Sequence, residues 1–286
     1  MSNSANNLSE YKTAAIRHFR KGNIEALINT SFVIEPIDNI VLEPEKYLSQ
    51  SNLIKNSRSV SAGIWKHDKE KSVFINRYNH RGVFHSFRYA FKECRAFKSF
   101  KTSLKFNEHN IPAPSPIAAI KEKFFVFTKK SYLFLEAIEN AIPTADFFQE
   151  AFKNPELLNI YIYNVASILA KIHKANISHG DAKLSNFFVS CAPGIDFLKC
   201  KFGIWDFDSA TIFSGRISEH AIKKDISRTL ASFREMSARI NTKIECNKIA
   251  ETLYSKYIEE NGFDIDFDSI IKAAKKILIR KNLSWT

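Results

Sequence analysis

The sequence predicts an α+β protein in two parts: a small strand-rich first lobe with one main helix, and a larger, mostly helical second lobe. Three observations predict it. Between Leu53 and Tyr78 the apolar residues come in short runs, Val60 to Trp65 and Ser72 to Tyr78, parted by the turn-like His67-Asp68-Lys69-Glu70. From Leu158 to Ile172 apolar residues recur at three- and four-residue steps, which is one face of a helix. Between these regions, Ile111-Pro112-Ala113-Pro114-Ser115-Pro116 must end a helix, because proline cannot continue one.

Taken in order, residues 1 to about 10 are rich in Ser and Asn and read as loose. A helical stretch is expected around Ala14 to Leu27, with short apolar runs at Val33-Ile34 and Ile40-Val41-Leu42. Leu53-Ile54, Val60–Trp65 and Ser72–Tyr78 read as strands. A helix dense in Arg, Lys and Phe is expected from about His85 to Glu108, stopped by the proline run. Two strands follow, Phe124 to Thr128 and Tyr132 to Ala137, then a short connector near Glu136 to Ala145, and beyond residue 150 mostly helix. The expected division is 1–52 as an N-terminal extension with a helix, 53–137 as the first lobe and 138–286 as the second.

The chain has 286 residues, enough for a real hydrophobic core. A hydrophobic content of 45% and a charged content of 25% are ordinary for a globular protein; the net charge of +12 is not. It suggests an anionic partner, such as a nucleotide, an acidic membrane, an acidic glycan or nucleic acid, unless it is spread over solvated faces. Cys94, Cys191, Cys200 and Cys246 form no C-x-x-C pair and no zinc spacing, so they are expected to be reduced thiols of a cytosolic protein. Met1 to Glu10 lacks an apolar signal core, and no apolar run approaches a membrane span.

The chemistry concentrates in His179-Gly180-Asp181-Ala182-Lys183-Leu184-Ser185-Asn186, followed by Asp206-Phe207-Asp208. A carboxylate, a lysine and a carboxamide share one short loop, and a second carboxylate follows at a strand end. Phosphoryl transfer from a nucleoside triphosphate needs this set. One Asp orients the attacking hydroxyl and accepts its proton, while an Asn and a second Asp hold the magnesium that neutralises the phosphates. Lys183 is placed to steady the transferred phosphate. Singly, Asp181, Asn186 and Asp206 could be turn residues, which Asp and Asn favour; in this order, after a helix and around two short strands, they read as catalytic. His179 reads as a packed residue that buttresses the loop.

With those pieces placed, the chain resembles the lipopolysaccharide core kinases, which phosphorylate Kdo or heptose of the endotoxin inner core. The resemblance rests on Arg77-Tyr78-Asn79, His85-Ser86-Phe87-Arg88-Tyr89, Arg95-Ala96-Phe97-Lys98-Ser99-Phe100 and Ile111 to Ala118. In the second lobe it rests on His179 to Asn186, Trp205-Asp206-Phe207-Asp208 and Lys224-Asp225-Ile226-Ser227-Arg228. It implies a two-lobed protein-kinase-like fold and ATP with Mg2+ as cofactors. It makes Asp181 the catalytic base, aided by Lys183, and Asn186 and Asp206 the metal ligands. Asp225 would lie on a buried helix and accept backbone hydrogen bonds from the catalytic loop. The backbone of Glu136, Ala137 and Ile138 would meet the adenine edge.

The sequence departs from the kinase pattern where a third-strand lysine usually contacts the α- and β-phosphates. Asn76 stands there, and Arg77, the nearest cation, alternates to the opposite face of an ideal strand. Gly180 occupies the place of the arginine that pairs with a phosphorylated activation loop in regulated protein kinases, and no A-P-E motif follows. Both points favour a glycan or small-molecule acceptor over a peptide. The expected partner is a lipopolysaccharide core or another anionic glycan, with no nucleic acid. The expected location is the cytoplasm, with peripheral contact at the inner face of the inner membrane through the basic surface. Another kinase of the same fold, or a pseudokinase binding module given Asn76, are the alternatives.

Overall fold

The computed structural model describes residues 16–32, 34, 37–68, 71–79, 93–124, 127–192 and 197–285. The chain divides into two compact units, one formed by residues 1–65, 74–100 and 116–135, the other by 66–73, 101–115 and 136–286.

The first unit is built on a seven-stranded sheet. Strands β1 (Ile16–Lys21) and β2 (Ile24–Asn29) form a hairpin, turned at Gly22 with φ +57°. Helices α1 (Ile37–Leu42) and α2 (Pro44–Ser49) follow, the second opening on proline, whose missing N–H costs nothing there. Then come β3 (Asn52–Asn56), β4 (Val60–Lys66), β5 (Ser72–Asn79), helix α3 (Arg95–Glu108), β6 (Pro116–Phe124) and β7 (Phe127–Glu136). The strand order is β1-β2-β6-β7-β5-β4-β3.

Two expectations are corrected here. The stretch Ala14 to Leu27 is not a helix within its described part, because Gly22 and Asn23 break it into two strands whose backbone pairs with itself and with β6. For the same reason it is no extension: it completes the sheet. The strand expected at Phe124 to Thr128 is the end of one strand and the start of the next, since the apolar run Ile117–Ile120 already pairs with Leu133 and its neighbours. The expected helix from His85 is described only from Arg95; His85 to Tyr89 lie outside the described residues.

The second unit is mostly helical. Strand β8 (Ala141–Pro143) leads into α4 (Thr144–Lys153) and the long α5 (Pro155–Lys174), capped by Asn154, whose Oδ1 accepts the Glu156 N–H at 2.9 Å. Strand β9 (Ile177–Ser178), the hairpin β10 (Phe187–Ser190) and β11 (Lys201–Ile204), and β12 (Thr211–Ile212) come next. Helices α6 (Glu219–Arg239), α7 (Cys246–Asn261) and α8 (Phe267–Ile279) finish the chain. The apolar face read from Leu158 to Ile172 packs on α7, and α6 packs on α8. Phe148, Tyr161 and Phe233 meet at ring distances of 5.5–6.2 Å in the core between α4, α5 and α6.

The expectation of four reduced thiols is also corrected. Cys191 and Cys200 form a disulfide with their Cα atoms 4.6 Å apart. The reason is register. Phe187 pairs with Ile204 and Ser190 with Lys201, so one step further puts residues 191 and 200 face to face. An opposed pair at that spacing can bond without backbone movement. Cys94 and Cys246 are free.

Candidate active site

All the loop chemistry lies in the second unit, and the backbone shows how it is held. After α5, Asn176 takes a left-handed conformation (φ 57°) and reverses the chain, its side-chain oxygen accepting the Ile217 N–H at 3.1 Å. β9 then pairs with β12 and delivers the loop. His179 is fully buried, and its Nε2 donates to the Trp205 carbonyl at 3.0 Å, so it buttresses the loop as its position suggested. Gly180 sits at φ +79°, and a Cβ there would lie 2.4 Å from the Ser209 carbonyl oxygen. Glycine is needed on both counts.

Helix α6 anchors the loop from beneath. Asp225 accepts the N–H of His179 at 2.7 Å and of Gly180 at 2.8 Å. Thr229 donates to the Ala182 carbonyl at 2.6 Å, and Ser232 accepts the Leu184 N–H at 3.0 Å. Spacings of four and three place all three residues on one helix face. Asp225 is itself buried, which alone would raise its carboxyl; the hydrogen bond and charge of His173, with His179, hold it below the usual carboxylate range. His173 Nε2 lies 3.4 Å from Asp225, while its Nδ1 lies 3.0 Å from the Tyr257 hydroxyl.

Asp181 faces two cations. Lys183 Nζ is 2.9 Å from one carboxylate oxygen and Arg228 Nε 3.4 Å from the other. Asn186 donates to the Asp181 carbonyl at 2.9 Å, and its own carbonyl accepts the Trp205 N–H at 2.9 Å, which ties the loop to the end of β11. Asp206 follows there in a left-handed conformation (φ 65°), rare for a non-glycine residue and frequent at functional sites. Burial, then the neighbouring Asp208 carboxylate, push its carboxyl above the usual range.

Those residues fit a hard divalent cation. With its amide NH2 committed to Asp181, Asn186 offers only oxygen, and Asp206 is a carboxylate crowded by that of Asp208, a repulsion that a cation relieves. Among the described residues there is no cluster of three or more His, Cys, Asp or Glu placed to hold a metal, so the remaining ligands would be phosphate and water, as is usual for magnesium.

The model of the lipopolysaccharide kinase (Kdo/WaaP) family matches residues 44–252. The chain belongs to that family. A solved structure described as WaaP in complex with acyl carrier protein superposes with a TM-score of 0.61 at 11% identity, covering 88% of this chain and 95% of that one. That likeness shows the kinase-like fold. No curated protein sequence matches.

The nucleotide-side positions expected from the sequence lie outside the loop. In the second unit the Glu136 and Ala137 N–H groups already donate to the carbonyls of Ser115 (2.8 Å) and Ser72 (2.9 Å), and the Ile138 carbonyl accepts the Ala141 N–H at 3.4 Å. In the first unit Arg77 ion-pairs with Glu45 of α2 and bonds Ser61 at 3.0 Å, while Lys130 and the Tyr132 hydroxyl also reach Glu45. Its neighbour Tyr78 carries Arg95 of α3 over its ring, so α2 and α3 cover opposite faces of β5. Asn76 alternates with Arg77, and its buried Oδ1 has no partner among the described residues. Sequence reasoning missed Arg228, Thr229 and Ser232 as loop anchors. The available signal was their helical spacing from Asp225.

Proposed function

We propose that this lipopolysaccharide kinase transfers the γ-phosphoryl group of ATP to a sugar hydroxyl, of Kdo or heptose, in the inner core. The observation that carries the reading is the Asp181 carboxylate, held by Lys183 and Arg228 on a loop that α6 fixes by Asp225, Thr229 and Ser232. In this reading Asp181 accepts the acceptor proton as the sugar oxygen bonds to the γ-phosphorus, and the bond from that phosphorus to the bridging oxygen breaks to leave ADP. Lys183 follows the transferred group. Asn186 and Asp206 would hold Mg2+, which supplies charge neutralisation on the phosphates. Of the three adenine-edge residues, Ile138 would offer its N–H, since those of Glu136 and Ala137 are engaged. No helix among the described residues is long and apolar enough to cross a membrane; contact at the inner face of the inner membrane, from the cytoplasm, would run through the basic surface.

The acceptor is tested by incubating the protein with ATP and defined cores, carrying either Kdo alone or Kdo with heptose, and mapping the new phosphate by mass spectrometry. Label on either sugar supports the reading and names the acceptor. Label on neither, with both cores intact, removes it.

A nucleotide-binding module without turnover is the second reading. It is favoured by Asn76 at the usual lysine position and by the engagement of Arg77 with Glu45. Nucleotide binding that Asn76→Lys tightens, with no transfer in either form, would favour it.

A further inference from the structure

We infer that Arg228 is a positioning residue that keeps Asp181 oriented while Lys183 leaves to follow the phosphoryl group; this rests on the reading of Asp181 as the base. The two cations on that carboxylate are anchored very differently. Lys183 belongs to the loop and forms no other ion pair among the described residues. Arg228 belongs to α6, one turn beyond Asp225, and its side chain is only 17% exposed. Its Nη1 bonds Glu235 Oε1 at 2.9 Å, two turns further along the same helix. The other oxygen of Glu235 is held by Lys281 at 2.7 Å, just past α8. Charges therefore alternate from Asp181 through Arg228 and Glu235 to Lys281, and the chain of ion pairs runs from a reactive group along α6 to the turn just past α8.

The geometry divides the labour between the two carboxylate oxygens. Oδ2 faces Lys183 and, at 3.4 Å, the Asn186 amide; Oδ1 faces Arg228. A carboxylate turns readily about its last torsion, which has broad, two-fold preferences. Once Lys183 moves away, a donor on Oδ1 is what keeps Oδ2 aimed at the hydroxyl it must deprotonate. A guanidinium suits that task. It is planar, remains charged at all accessible pH values, and can hold Asp181 and Glu235 through separate nitrogens at once.

The test is steady-state kinetics on a lipopolysaccharide core acceptor, with nucleotide affinity measured separately, for Arg228→Gln, Arg228→Lys, Glu235→Gln, Asp181→Asn and the double variant Asp181→Asn/Arg228→Gln. Misplacing a reacting group by about 1 Å costs about 100-fold, so Arg228→Gln should lower kcat by about that factor while KM and nucleotide affinity hold. Arg228→Lys should recover part of the loss, and Glu235→Gln, which never touches Asp181, should lower kcat less. The double variant should be no slower than Asp181→Asn alone, because both act on one group. An unchanged kcat in Arg228→Gln, a loss carried by KM, or an additive double variant would overturn the inference. Where Arg228→Gln does not fold, the kcat of Glu235→Gln decides. If Asp181→Asn itself keeps full turnover, the reading of the base fails instead, whatever Arg228 does.

Discussion

The carboxylate of Asp225 accepts the backbone N–H of Gly180 at 2.8 Å, one residue before Asp181. A buried charge on α6 thereby fixes the loop that carries Asp181, the proposed base. Asp225→Asn should cost about 3 kcal/mol, because it puts an amide NH2 where two N–H groups now donate and leaves His173 without its anion. The folded-state carboxyl is held low, so its stabilisation is complete above the unfolded value near 3.8 and disappears as pH falls through the lower folded value. Urea denaturation at pH 7 and at pH 3 should show the wild-type advantage shrinking at the acid end.

Gly180→Ala should be worse than a typical loop substitution. The left-handed conformation costs a side-chain-bearing residue about 1–2 kcal/mol, and a Cβ would meet the Ser209 carbonyl at 2.4 Å. The Ser209 backbone precedes β12, so the clash reaches the pairing of β12 with β9. A lowered melting temperature and lost turnover are expected. Wild-type values for both would show that the loop has room that this geometry denies it.

Asp206→Ala should weaken binding of magnesium-nucleotide more than binding of nucleotide alone. It removes a carboxylate that a cation would neutralise and leaves Asp208 in place. Isothermal titration with and without magnesium checks this, and an unchanged magnesium dependence would take Asp206 out of the metal site.

Much of this was legible in the sequence because it rests on local pattern. The helix Pro155–Lys174, the strands Val60–Lys66 and Ser72–Asn79 and the acidic turn at Asp206 follow from periodicity and spacing. The alternation that set Arg77 against Asn76 is the same kind of signal, and Arg77 indeed reaches α2 while Tyr78 faces α3. What escaped depends on partners distant in sequence. β2 is a strand because β6, about a hundred residues away, completes its ladder. Cys191 and Cys200 bond because the β10–β11 register opposes them. Arg228 meets Asp181 only once α6 lies under the loop, and Lys281, just past α8, is drawn to Glu235.

The basic face of α8 carries Lys272, Lys275 and Lys276, with Arg280 at its C-terminal cap, all exposed, while Ile270, Ala274 and Leu278 pack inward. Reversing Lys272, Lys275 and Lys276 to Glu should raise KM for a lipid-linked acceptor and leave KM for ATP alone. Each cation near an anionic surface contributes about 1 kcal/mol. Added salt should raise the wild-type KM in the same way, since exposed charges are screened beyond about 8 Å at physiological ionic strength. Kinetics indifferent to both would mean that the charge serves only solvation.

The most direct test of the account is transfer of labelled γ-phosphate from ATP to extracted lipopolysaccharide core by wild type and by Asp181→Asn, with nucleotide binding measured alongside. Label is expected on an inner-core sugar with wild type, with a loss of about 1,000-fold or more in the variant and nearly equal nucleotide affinity in the two. Wild-type turnover by Asp181→Asn, or no transfer to any core by a wild-type protein that binds magnesium-nucleotide, would contradict it.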